Sequence, residues 1–101
     1  MHRQTKLCEI PMSVKLRVWE RDEGRCVLCG KTYTASPNAH FIARSHGGLG
    51  IEENFVTLCL LCHAKYDNSE QRSALRDRLR GYLKTKYPEW NEEKLYYKKG
   101  M

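Results

Sequence analysis

The sequence predicts a small α+β domain with a metal staple at its centre and helices on its flanks. Three observations lead there. Cysteines stand in two Cys-x-x-Cys pairs, Cys26/Cys29 and Cys59/Cys62, with 29 residues between the pairs. Between them lie two short runs of strand formers, joined by a bend that contains Gly47, Gly48 and Gly50. Outside them, apolar residues recur at helical spacing. A chain of 101 residues has room for one domain. We read 1–101 as one, with a core over about 13–67 and a basic helical extension over 69–101. Charged residues make up 30% of it and apolar ones 41%, so its core is thin. Small thin cores need a staple.

Residues 1–10 read as a short basic arm, with Cys8 as a small buried hydrophobe rather than a ligand. After Pro11, Ser13 is placed to cap a helix with Val14, Val18 and Trp19 on its apolar face and Leu16 nearer the edge. Lys15, Arg17 and Arg21 then project from the other side, and Gly24 stops the helix. Ala39 to Ala43 forms the first strand, with His40 inside it, and Phe55 to Leu58 the second; a long loop makes them a wide hairpin. From Cys62 the chain turns helical to about Asn68. Ser69 caps a longer helix to about Lys86, with Leu75, Leu79, Tyr82 and Leu83 on its buried face, and Pro88 ends it. Trp90, Leu95, Tyr96 and Tyr97 are expected to fold back on the core before Lys98 and Lys99.

One Cys-x-x-Cys alone is ambiguous between a metal half-site, a redox pair and chance. The redox reading wants a strand before the motif and a helix after it. Here a helix precedes Cys26 and a loop with Pro37 follows Cys29. Two such pairs give four thiolates, the ligand set of a closed tetrahedral zinc. Zinc on Cys26, Cys29, Cys59 and Cys62 leaves no open position, so its role is structural. No segment has the ~18 consecutive apolar residues that a bilayer span requires, and no apolar signal core follows the N-terminus. A cytoplasmic protein without membrane partners is the expectation. The net charge of +6 suits a polyanion. From Ser69 onward nine Lys and Arg face five Asp and Glu, so this stretch reads either as a solvated helix face or as a phosphate-contacting flank.

The zinc leaves the histidines unexplained. His40 and His63 can face one pocket if the second knuckle is fixed against the hairpin. One imidazole can take a proton from water near neutral pH. Another, with a carboxylate, can hold a divalent cation. Asp67 falls four residues after His63 on the same helical face. Phosphodiester hydrolysis needs such a base and such an ion. The Asn54 amide can bond across the loop and hold the backbone near the base. Arg44, His46, Arg72 and Arg76 are the candidate phosphate contacts.

The run Ala-His-Phe-Ile-Ala-Arg-Ser-His-Gly-Gly, then Glu-Asn-Phe-Val-Thr-Leu-Cys-x-x-Cys-His, set after a first knuckle, resembles the HNH endonucleases. These belong to the ββα-metal, or His-Me finger, superfamily, and the likeness is to compact zinc-bearing phage and bacterial members. It covers about residues 13–67 well, and the Tyr87-Pro-Glu-Trp90 tail more loosely. It implies a ββα-metal core, DNA as partner, and metal-assisted hydrolysis with Mg2+, Mn2+ or a similar ion, leaving 5′-phosphate and 3′-hydroxyl ends. It implies His40 as general base, Asn54 as loop brace and His63 as catalytic metal ligand. A bacterial or phage-infected cytoplasm follows from it, and so does a possible packaging partner such as a terminase or portal protein. Ala39 departs from the family, which commonly has Asp or His there as a metal ligand. Either His63, Asp67 and waters hold the ion, or His46 or Glu53 swings in, or the activity is weak. The competing class is a DNA-binding or adaptor module that kept the zinc fold and lost the chemistry.

Overall fold

The computed structural model describes residues 10–97. The predicted arm over 1–9, with Cys8, lies outside them, as do Lys98 and Lys99. The order is α1 (Met12–Arg21), β1 (Ser36–His40), β2 (Phe55–Leu58), α2 (Leu60–Asn68) and α3 (Arg72–Lys86). Single 3-10 turns lie at Arg44–His46, Glu52–Asn54 and Glu92–Lys94. The described residues form an α+β domain with a two-stranded sheet and three helices. None of the described helices is long and apolar enough to cross a membrane.

β1 and β2 pair antiparallel, with Ala39 opposite Val56 and His40 opposite Phe55. β1 starts and ends three residues earlier than the apolar run suggests. The cause is Asn54. Its Oδ1 accepts from the Ile42 N–H at 2.8 Å, and its Nδ2 donates to the Ile42 carbonyl at 3.2 Å. A side chain thus takes the place of the next rung, and the ladder stops. At the other end the register slips between Ser36 and Ala39. Pro37 sits in that interval and has no N–H to give a rung.

β2 is buried along its whole length, with a different cluster on each face. Phe55 packs with Val14 and Val18 of α1. Val56 and Leu58 join Phe41, Tyr66, Leu79, Leu83 and Leu95. α1 differs from expectation in three ways. Pro11, not Ser13, is its N-cap, and no side chain caps it. Trp19 stays 39% exposed, lying over Gly24, where a Cβ would come within 2.8 Å of its ring. Arg21 turns inward rather than out.

Arg21 and Asp22 form a hub that binds three parts of the chain. Arg21 holds both Asp22 oxygens, at 2.8 and 3.0 Å, and donates to the Glu52 and Phe55 carbonyls and to the Tyr87 hydroxyl. Asp22 also accepts from the Thr57 N–H of β2 and from the Tyr82 hydroxyl of α3. Burial alone would lower the pKa of Arg21; Asp22 and Tyr87 outweigh it, and the net shift is upward. Asp22→Ala would strand a buried guanidinium, an N–H and a hydroxyl together. The expected loss is about 3–5 kcal/mol, read as a fall in the urea midpoint. An unchanged midpoint would mean that the hub carries no stability.

Ser69 does not begin α3. It ends α2, donating its hydroxyl to the Lys65 carbonyl at 2.6 Å and accepting from the Gln71 N–H at 3.1 Å. Leu79 and Leu83 of α3 are fully buried. Its arginines serve as internal ties: Arg76 and Arg80 clamp Glu92 at 3.0 and 2.9 Å, and Arg78 reaches the Leu28 carbonyl. The tail folds back on the core as expected, with Leu95 buried in it, and is also fastened to the glycine bend. Tyr96 pairs with Gly48, and Leu49 donates to the Leu95 carbonyl at 2.8 Å.

Candidate metal centre and active cleft

The four predicted cysteines meet. Cys26 and Cys29 sit in the turn after α1, and Cys59 and Cys62 bracket the start of α2. The knuckle is closed by Cys26 N–H to the Lys31 carbonyl and Gly30 N–H to the Cys26 carbonyl, each at 2.8 Å. Gly30, at φ 79°, supplies the left-handed step that this turn needs. Val27 N–H donates to the Thr57 carbonyl at 2.9 Å and fastens the first knuckle to the strand that leads into the second.

All four sulfurs lie within 4.8 Å of one another, with Cys29 and Cys59 at 3.6 Å. Tetrahedral ligands ~2.3 Å from one ion stand about 3.8 Å apart, so the set fits a single ion. A cluster with its ligand sulfurs on separate irons needs a wider spread. The thiols also affect one another. Burial, then the neighbouring cysteines, push the Cys62 thiol up. Burial pushes Cys26 the same way, but backbone N–H groups of Cys59, Cys29 and Leu28 bring it down to about 7. Four thiolates at this spacing require a cation among them.

Beside α2 opens a separate cleft of about 470 Å³. His40, Arg44, His46, His63, Asp67 and Arg72 line it. β1 supplies His40. Strand alternation aims this ring away from Ala39, which is fully buried in the core. The ring rests edge-on against Phe55, centroids 4.4 Å apart. Its Nε2 is buried without a hydrogen-bond partner. The imidazole also meets the Asn38 backbone. Burial first, then the charges of His63 and Arg44, lower the His40 pKa below 6.5.

α2 supplies His63 and Asp67. Helical spacing puts them on one face, with His63 Nε2 3.2 Å from Asp67 Oδ2. Two ligands at right angles ~2.1 Å from one ion stand about 3 Å apart, so this pair has the spacing of neighbouring ligands. The sequence gives no hint of what holds α2 in place. Tyr66, fully buried, donates its hydroxyl to the Phe41 carbonyl at 2.6 Å, one residue past His40.

Asn54 is fully buried and bonds both sides of the loop, with Nδ2 also reaching the Leu49 carbonyl at 3.0 Å. Gly48 makes room for this. A Cβ there would lie 1.9 Å from the Ile42 carbonyl oxygen and 2.9 Å from Asn54 Nδ2. Arg76 does not line the cleft: its guanidinium pairs with Glu92 and lies over the Phe41 ring. Glu53 lies apart too, in a second cavity with Trp90 and Lys94. Among the described residues, the cysteines are the one group of three or more ligand side chains close enough to share an ion.

No family model matches the chain, and no solved structure matches it. Among curated proteins, Anaredoxin of Nostoc sp. is 35% identical to it over 46 residues, or 46% of this chain. Those residues are 60% of Anaredoxin, so the chain spans less than two thirds of that relative's length.

Proposed function

We propose that the protein is a metal-dependent DNA endonuclease of the HNH type whose fold is stapled by a structural zinc. The observation that carries this reading is the cleft: a buried, unpartnered imidazole nitrogen shares it with a histidine–carboxylate pair at ligand spacing and with basic side chains. A zinc scaffold alone requires none of these.

In this reading a water oxygen attacks the phosphorus, and His40 Nε2 takes the water's proton. The bond from phosphorus to the 3′ oxygen breaks, and that oxygen takes a proton from solvent. His63 and Asp67 would hold a divalent ion, magnesium or manganese, which would supply positive charge against the negative charge that builds up during hydrolysis. Asn54 fixes the backbone after His40. Arg44, His46 and Arg72 bind and orient the phosphate.

The lowered pKa of His40 sets a pH dependence. The neutral ring is the active form, so activity is present above that pKa and lost as the pH falls through it. His63, Asp67 and Arg44 face the ring and share in setting the value. Zinc-loaded protein should nick supercoiled plasmid with Mn2+ or Mg2+, and the acid limb of the rate should lie below pH 6.5. An acid limb well above 6.5 would remove His40 as the base.

One observation favours a second reading. Ala39 is buried and offers no ligand, which leaves the cleft with a pair rather than a triad. DNA binding that weakens with salt, without cleavage by any divalent ion, would make the protein a zinc-containing binding or adaptor module. The redox-related name of Anaredoxin, matched over 46 residues, makes iron in the same four thiolates the alternative to test against zinc. Elemental analysis separates the metals: one zinc per chain is expected, and one iron would replace the structural-zinc assignment.

A further inference from the structure

We infer that Arg72 gates the Asp67 carboxylate, so that a phosphodiester and the divalent ion bind the cleft cooperatively. The inference rests on the metal and phosphate sites that the nuclease reading places in this cleft, not on cleavage itself. It starts from what Asp67 touches. One carboxylate oxygen faces His63 Nε2 at 3.2 Å, and the other faces Arg72 Nη1 at 3.9 Å. Arg72 is anchored from behind. The same Nη1 donates to the Tyr66 carbonyl at 2.9 Å, and the guanidinium carbon stands 4.5 Å from the centre of the Tyr66 ring. A fixed positive charge is therefore held at ion-pair range from the carboxylate that the metal uses.

A guanidinium does not lose its proton in a protein. Arg72 therefore opposes a cation at Asp67 at every working pH, and without substrate the ion binds weakly. A phosphodiester reverses this. Arg44 and His46 line the same cleft as Arg72, and the guanidinium fork matches two phosphate oxygens. A phosphate drawn to Arg72 places negative charge between the guanidinium and the ion and leaves Asp67 to the ion. By linkage, the ion tightens the phosphodiester by the same factor. The ion is then held firmly where there is a backbone to cut.

The test is an Mn2+ titration of zinc-loaded protein, followed by the spectrum of free Mn2+, with and without a short DNA duplex. Every protein carries His40→Ala, so the DNA stays intact. A His63→Ala control subtracts ions held by the DNA alone. With Arg72 in place, the duplex should tighten Mn2+ binding by about tenfold or more. With Arg72→Gln, the ion should bind more tightly by itself and the duplex should add little. Arg72→Lys keeps the charge and should keep most of the coupling, which guards against a glutamine variant that folds poorly. Equal tightening by DNA in the arginine and glutamine proteins would overturn the inference, and so would the absence of Mn2+ at the cleft. Cutting is scored separately with His40 intact. Coupling without cutting would overturn the nuclease reading and leave this one standing.

Discussion

Stripping the metal with a strong chelator, or replacing Cys62 by serine, is expected to unfold the protein. The four cysteines join the turn after α1 to the junction of β2 and α2. Apparent binding free energies of structural zinc sites run to ~10 kcal/mol or more. Whole small domains are stable by only about 5–15 kcal/mol. Losing the ion therefore removes most or all of the stability. Four sulfurs within 4.8 Å, left without a cation, also stay protonated in part and hold the knuckles less well. Far-ultraviolet circular dichroism should show loss of helix, and returning zinc to chelated wild type should restore it. A Cys62→Ser chain with the native spectrum and melting temperature would show that the staple is dispensable.

His40→Ala should abolish most DNA cleavage while leaving the fold and the structural metal intact. Removing a general base costs typically ~10²–10⁴-fold in rate. The ring is half-buried and makes an edge contact with Phe55, so its loss removes little packing. The cysteines lie on other elements, and zinc content should be unchanged. Supercoiled-plasmid nicking, normalised to zinc-loaded protein, measures the effect. Added imidazole should restore part of the rate by entering the space the ring leaves. Cleavage at the wild-type rate would sink the proposed mechanism, whatever the metal content.

The parts of the fold legible in the sequence are those that chemistry forces at fixed spacing. Two Cys-x-x-Cys pairs supply four thiols that could share one ion, and His63 with Asp67 means one helical face. The parts that were not legible depend on contacts across the chain. The first strand looked apolar as far as Ala43, but Asn54, fourteen residues after His40, takes over its edge. Arg21 read as a surface charge because its partners, Phe55 and Tyr87, are 34 and 66 residues away. The α3 arginines read as a possible phosphate flank because Glu92 looks like one more tail acid until the tail folds back. Ala39 is the instructive case. Against the HNH resemblance the sequence lacks a ligand at this position; only the fold shows that its side chain lies in the core.

The hydrophobic core that carries the cleft has a bearing on how such a site can be inherited. A fragment ending at Asn68 would keep the four cysteines and every side chain of the cleft except Arg72. It would also bare Phe41 and Tyr66, which in the intact chain pack with Leu79, Leu83 and Leu95. Phe41 follows His40 directly, and Trp90 stacks edge-on against it at 5.4 Å. The cleft is thus not a portable cassette. Recombination that moves the motif into another chain must bring the last helix and the returning tail, or find a replacement for both.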